Sequence, residues 1–154
     1  MMAAVSPKHS LQAELNKISE LLDVLKQEQQ DLVAADIDHL TTLTPQKSAL
    51  VNEMATLATA RHRALADAGY PAMELGMESW LEAQHDDAAN ILWQQLLDQT
   101  RAAKELNRLN GVLINKHLGH TQGALQALRP QQTTVYGPSG MTTGGTTRRG
   151  FIAG

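Results

Sequence analysis

The chain has 154 residues, of which 42% are hydrophobic, so one modest domain is expected and two independent cores are excluded. Aromatic residues make up 3% of the chain and Cys is absent, which excludes disulfides, thiol nucleophiles and thiolate metal sites. The net charge of −3 is unevenly distributed: residues 1–105 hold 8 basic and 16 acidic side chains, whereas residues 106–154 hold 5 basic and no acidic ones. Five dispersed positive charges are too few for a nucleic-acid site, so we expect a protein partner that these charges help to attract.

The apolar residues are mostly Leu and Ala at helical spacing, which predicts an all-α fold, an elongated antiparallel bundle or coiled-coil hairpin. The first helix is expected to begin with Ser6 as N-cap and Pro7 at the first helical position. A connector over residues 34–44 with a short helical turn capped by Asp36 is expected next. The second helix is expected to begin at Pro45, and its apolar face is marked by Leu43, Leu50, Met54, Leu57 and Leu65. The Lys47 stem is expected to lie along this face with its ammonium in water. A short lid helix anchored by Trp80 follows. The predicted bounds are about 7–33, 45–68, 74–83 for the lid, and 86–129, within one helical domain over residues 1–129.

The last of these helices carries the most unusual pattern in the chain. From Trp93 to Leu128 one helical face is marked at alternating steps of four and three, which is typical of a coiled-coil seam. The centre of this face holds polar or small residues: Thr100, Lys104, Asn107 and Gly111. Each fully buried Leu would contribute about 1.5–3 kcal/mol there, so this face is expected to serve more than the stability of a bundle.

The C-terminal residues differ in composition from the helical part of the chain. Residues 130–154 are rich in Gln, Thr, Gly, Pro and Ser, which predicts a disordered tail that orders on binding. Its one compact motif, residues 136–140, is Tyr-Gly-Pro-Ser-Gly, a turn that presents one aromatic side chain.

The first ten residues lack the apolar stretch of a signal peptide, and no segment has the roughly 20 apolar residues of a membrane span. We therefore expect a cytoplasmic protein without stable membrane insertion.

No residue pattern in the sequence indicates an enzyme. The chain contains no nucleophile elbow, no Gly-rich phosphate loop and no set of inward His and carboxylate side chains. We therefore expect no catalytic, cofactor or metal site.

The polar centre of the last helix resembles a known family. The run Glu105-Leu106-Asn107-Arg108-Leu109-Asn110-Gly111-Val112-Leu113-Ile114-Asn115 resembles the signature helix of FlgN-type flagellar export chaperones. The turn at Tyr136 is similar to the short Tyr-Gly element that follows this helix in the family. The resemblance implies a cytoplasmic, non-enzymatic chaperone for the C-terminal helices of hook-filament junction proteins. It would bring these clients to the export-gate platform protein of the flagellar type III apparatus.

The resemblance also implies a client-binding surface on this helix. We expect it to comprise Asn107, Asn110, Gly111, Ile114, Leu118, Thr121, Leu125 and Leu128. Its apolar members suit a helix laid in a groove. Gly111 weakens the helix by about 1 kcal/mol relative to Ala, which would let the distal part bend or exchange its packing for the client's. Tyr136 is expected to insert into the export-gate platform.

Two alternatives stay open for the Asn and Gly residues. A buried Asn can fix the register of a homo-oligomer, and Gly can admit a close helix crossing. On that interpretation the chain is a self-associating coiled-coil structural or adaptor protein. Such a protein shows a concentration-dependent mass, whereas a chaperone is a monomer or weak homodimer that forms a defined complex with its client.

Overall fold

The computed structural model describes residues 5–128, apart from the side chains of residues 120–122, 124 and 125. Every regular secondary-structure element in this part is a helix, which confirms the all-α class. The helices are α1 (Leu11–Ala34), α2 (Ile37–Asp67), α3 (Glu74–Gln84) and α4 (Asp87–Leu128). The chain divides into two compact units, Met1–Asn115 and Lys116–Gly154. The tail predicted at residues 130–154 lies outside the described residues.

The first helix begins at Leu11, not at Pro7 as predicted. Ser6 instead closes a preceding turn, in which its carbonyl oxygen accepts from the His9 N–H at 2.9 Å and its hydroxyl accepts from the Lys8 N–H at 3.3 Å. The hydroxyl of Ser10, the residue before the helix, donates to Glu14 Oε2 at 2.8 Å. This contact ties the start of α1 to a buried carboxylate.

The second helix begins at Ile37, so the predicted start at Pro45 was wrong. Ala35 ends α1 in the left-handed conformation, and the Asp36 side chain accepts from the His39 N–H at 3.1 Å as the N-cap of α2. Pro45 therefore lies inside the helix, where it costs roughly 3 kcal/mol by removing one backbone hydrogen bond. Burial of Leu43 and Leu50 on either side of it offsets that cost.

Two glycines shape the loop between α2 and α3. Gly69 has a φ of +89°, a conformation that side chains with a Cβ rarely adopt, and it follows the last turn of α2. Gly76 allows a close approach, because a Cβ there would lie 1.9 Å from the carbonyl oxygen of Pro71. The two glycines thus allow the chain to make a tight turn between α2 and α3.

The direction of the long helices follows from their contacts within the first unit. Arg61 of α2 binds Glu14, and Lys47 binds Glu28, so α2 runs antiparallel to α1. The Lys8–Asp86 pair and the Asn110–Glu28 hydrogen bond show that α4 runs parallel to α1. Trp80 is buried, as expected for an anchor of the short helix. The core cluster contains Leu11, Leu15, Ile18, Leu21, Leu25, Leu50, Leu65, Met77, Trp80, Leu81, Ala89, Trp93, Leu96 and Ala103.

Candidate functional site

The predicted seam of α4 is not the face that α4 buries in the first unit. The buried row consists of Ala89, Trp93, Leu96, Ala103 and Asn110. Trp93 belongs to both rows, but the positions that follow it in the predicted row are not buried. Thr100 is half-buried, while Lys104 and Asn107 are exposed. The polar centre of the predicted face therefore does not weaken the internal packing, because that packing uses a neighbouring face.

Asn110 differs from the other predicted client contacts because it is completely buried. Its Nδ2 donates to the carbonyl oxygen of Leu25 at 2.9 Å and to Glu28 Oε1 at 2.8 Å. Lys47 Nζ lies 3.3 Å from both carboxylate oxygens of Glu28. Asn110 is thus not available on the surface, and the Lys47 ammonium forms an ion pair instead of lying free in water.

Gly111 is half-buried, and no atom of another helix among the described residues lies within 4 Å of the position that its Cβ would take. The interpretation of Gly111 as the site of a close helix crossing has no support within this part of the chain.

The remaining predicted contacts lie in exposed positions wherever the structure describes them. In the first unit, Ile114 is 38% exposed. In the second unit, Leu118 is 54% and Leu128 is 83% exposed. The side chains of Thr121 and Leu125 lie outside the described residues, and so does Tyr136.

A groove of about 720 Å³ lies between α2 and α4, with α1 at its floor. On the α2 side it is lined by Val51, Met54, Ala55 and Ala58, among others. On the α4 side its lining includes Leu97, Thr100, Lys104 and Asn107, which are positions of the predicted seam. The proximal half of that seam therefore faces an open groove rather than a partner helix.

Sequence reasoning placed Met54 on the apolar face of α2 but missed the other apolar residues of this groove wall. Val51, Ala55 and Ala58 are spaced four and three apart, which is a second apolar stripe beside the one that contains Leu43, Leu50 and Met54. This helical spacing was the signal that could have found them.

A buried ion cluster at one end of the groove was also missed. Arg61 is 4% exposed, and its Nε and Nη2 donate to the two Glu14 oxygens at 2.9 and 3.1 Å. Its Nη1 reaches Glu74 Oε1 at 3.2 Å, and its guanidinium lies 4.8 Å from the centre of a Trp93 ring. Two inward carboxylates therefore lie on α1, where Glu14 binds Arg61 and Glu28 binds Lys47.

No group of three or more His, Asp or Glu side chains in residues 5–128 is placed to hold a metal ion. None of the helices in this part is long and apolar enough to cross a membrane.

The described residues thus form an all-helical protein whose long last helix carries exposed apolar residues. The family model described as FlgN protein matches residues 1–144, so the chain belongs to the FlgN family. It is 28% identical over 129 residues to the flagella synthesis protein FlgN of Salmonella typhimurium, covering 82% of each chain. It is 29% identical over 138 residues to the protein of that name from Escherichia coli, covering 86% of each. The Proteus mirabilis protein of that name is 27% identical over 150 residues, 96% of this chain and 93% of the relative. No solved structure gives a significant match.

Proposed function

We propose that this protein acts in flagella synthesis as a cytoplasmic export chaperone. It binds the C-terminal helices of hook-filament junction proteins, prevents their premature association and delivers them to the flagellar type III export gate. Membership of the FlgN family and the flagella synthesis proteins among its relatives support the flagellar assignment.

The observation that carries the chaperone role is the exposure of large apolar side chains along α4. In the first unit, Ile114 is 38% exposed. In the second unit, Leu118 is 54% exposed. Exposed large apolar side chains on a helix are contacts that a partner helix can use. Binding of an aggregation-prone client helix would remove such side chains from water.

The proposal is tested by the mass of the mixed proteins. The purified chain is combined with a hook-filament junction protein, intact or without its C-terminal helix, and each mixture is measured by size exclusion with light scattering. We expect a discrete complex with the intact client only. If neither client changes the mass while the chain self-associates with concentration, the protein is an oligomeric adaptor and the chaperone proposal is wrong.

A matched pair of variants locates the client on α4. Ile114→Asp should weaken the complex by about tenfold or more, because a carboxylate would be buried without a partner. Val112→Asp is the control, since Val112 is 47% exposed on a different face of the same helix. Equal client affinity in the two variants would exclude the Ile114 face.

Delivery is proposed to depend on Tyr136. Tyr136→Ala should weaken binding to the export-gate platform protein and leave client binding unchanged, because an aromatic anchor is lost while α4 is intact. Unchanged platform affinity would remove Tyr136 from the proposal.

A further inference from the structure

The groove between α2 and α4 has an apolar wall that the fold itself leaves uncovered. Val51 is 47% exposed, and Met54 and Ala58 are half-buried although both line the groove. A surface helix normally carries polar residues on the face that it turns away from the core. Exposed apolar side chains that continue into a groove mark a binding surface.

The groove is long enough for several turns of a helix. Its α2 wall extends from Lys47 to Arg61, about four helical turns and roughly 21 Å at 1.5 Å per residue. Ile18, Leu21 and Leu25 of α1 form the apolar floor. All three sides are α-helices, whose backbone groups bond within the helix, so an extended strand would find no ladder to join. An amphipathic helix needs only the apolar surface.

The α4 edge of this groove carries positive charge. The acidic lining residues Glu14 and Glu74 lie at the other side, where both bind Arg61. Lys104 on the α4 edge is exposed, and none of the residues 5–128 places a carboxylate within 4 Å of its ammonium. Arg101 on the same edge pairs with Asp98 of its own helix, with both side chains about 70% exposed, which is a weak contact. The α4 edge therefore favours an occupant with acidic side chains.

The same charges disfavour two other occupants. A symmetric dimer through this groove would bring two copies of the same basic edge into one interface, because an isologous contact uses the same patch twice. Residues 129–154 of the chain contain Arg129, Arg148 and Arg149 and no acidic residue, so they do not complement Lys104.

The groove also adjoins the surface already assigned to the client. Asn107 lines the groove and lies seven residues, two helical turns, before Ile114 on α4. A client that contacts Ile114 can therefore continue along α4 into the groove.

We infer that the groove between α2 and α4 is a docking site for an amphipathic helix of the export client, with the client's apolar face on Val51 and Met54 and an acidic edge beside Lys104. This inference rests on the proposed function, because it names a second contact surface for the same client.

Cross-linking tests the position of the client directly. Because the chain has no Cys, Val51→Cys introduces a single thiol for a maleimide-linked photoreactive group. We expect a cross-link from position 51 to the intact hook-filament junction protein. Ile91→Cys is the control and should give none, because Ile91 is 57% exposed on α4 and does not line the groove. A cross-link from position 51 to a second copy, or within the same chain, in the presence of client would overturn the inference.

Affinity measurements by titration calorimetry with the same client give an independent result. Val51→Asp should weaken binding by about tenfold or more, and Lys104→Glu by about threefold. The controls Ile91→Asp and Arg63→Glu change equally exposed positions outside the groove and should bind like the unaltered protein. Thermal melts of all variants show whether each is folded.

The two proposals fail in different ways. If the unaltered protein forms no complex, the chaperone function and the docking site are both wrong. If the complex forms but the groove variants bind as tightly as their controls, the docking site is wrong and the chaperone function stands.

Discussion

At the scale of single residues, Arg61 connects the helix on which it lies to the three other helices. It lies on α2, binds Glu14 of α1 and Glu74 of α3, and stacks on Trp93 of α4. Glu14 and Arg61 are each about 95% buried, so both ions are removed from water and depend on one another. The Glu74 contact adds less, because that carboxylate is 56% exposed.

We predict that Arg61→Ala lowers the free energy of unfolding by about 3–5 kcal/mol, because it leaves the Glu14 charge buried without a partner. The double variant Arg61→Met with Glu14→Gln should be less destabilised than Arg61→Ala alone, since no buried charge remains. Urea unfolding followed by circular dichroism measures both. Arg63→Ala, two residues along and exposed, is the control and should change stability by less than about 0.5 kcal/mol. Equal midpoints for Arg61→Ala and Arg63→Ala would contradict the prediction.

At the scale of whole helices, the sequence predicted the later elements better than the start of α2. The predicted bounds of about 74–83 and 86–129 agree within one residue with α3 and α4. The boundary between these two helices is defined locally. His85 ends α3 in the left-handed conformation, and the Asp86 side chain caps the start of α4. The start of α2 was mispredicted because Pro45 is favoured locally at a helix start. In the structure the helix continues through Pro45, and Leu43 and Leu50 are buried on either side of it.

The contacts at the N-terminus of α4 predict how the stability of the fold depends on pH. The Asp86 carboxylate accepts from the Lys8 ammonium at 2.6 Å and from the Ala89 N–H at 3.1 Å. The Lys8 hydrogen bond is the main reason that the pKa of Asp86 lies below its ordinary value of 3.8, with the Ala89 bond second. A carboxylate with a depressed pKa in the folded state stabilises the fold above its unfolded-state pKa. That stabilisation is lost as the pH falls through the folded-state value.

We therefore expect Asp86→Asn to have a lower Tm than the unaltered protein at neutral pH. The difference should begin to shrink near pH 3.8 and should continue to shrink below it, because both proteins then carry a neutral side chain at position 86. Thermal melts over this pH range measure the effect. Lys8→Met should remove much of this pH dependence, since it removes the main cause of the pKa shift. Parallel Tm curves for Asp86→Asn and the unaltered protein would show that the contact does not contribute.

At the scale of the whole described molecule, the arrangement of α4 on α1 was beyond the reach of the sequence. The predicted row and the observed row share Trp93 and then separate at Leu96 and Leu97, which are both Leu. Periodicity cannot choose between two apolar rows that lie one residue apart. The buried row includes a contact distant in sequence, in which Asn110 of α4 reaches Leu25 and Glu28 of α1. Burial of this row leaves the predicted row free to face the groove.

Asn110 and Asn107 give a matched test of this arrangement, because the same substitution changes helix propensity equally at both positions. Asn110→Ala should lower the free energy of unfolding by about 1–3 kcal/mol, since it removes two buried hydrogen bonds and leaves Glu28 with Lys47 alone. Asn107→Ala should be neutral or slightly stabilising, because Asn107 is exposed. Urea unfolding gives the two free energies, and amide hydrogen exchange shows whether α4 near residue 110 opens more readily. If Asn110→Ala proves as stable as Asn107→Ala, the hydrogen bonds of Asn110 do not hold α4 on α1, and apolar packing at Trp93, Leu96 and Ala103 alone selects the buried face.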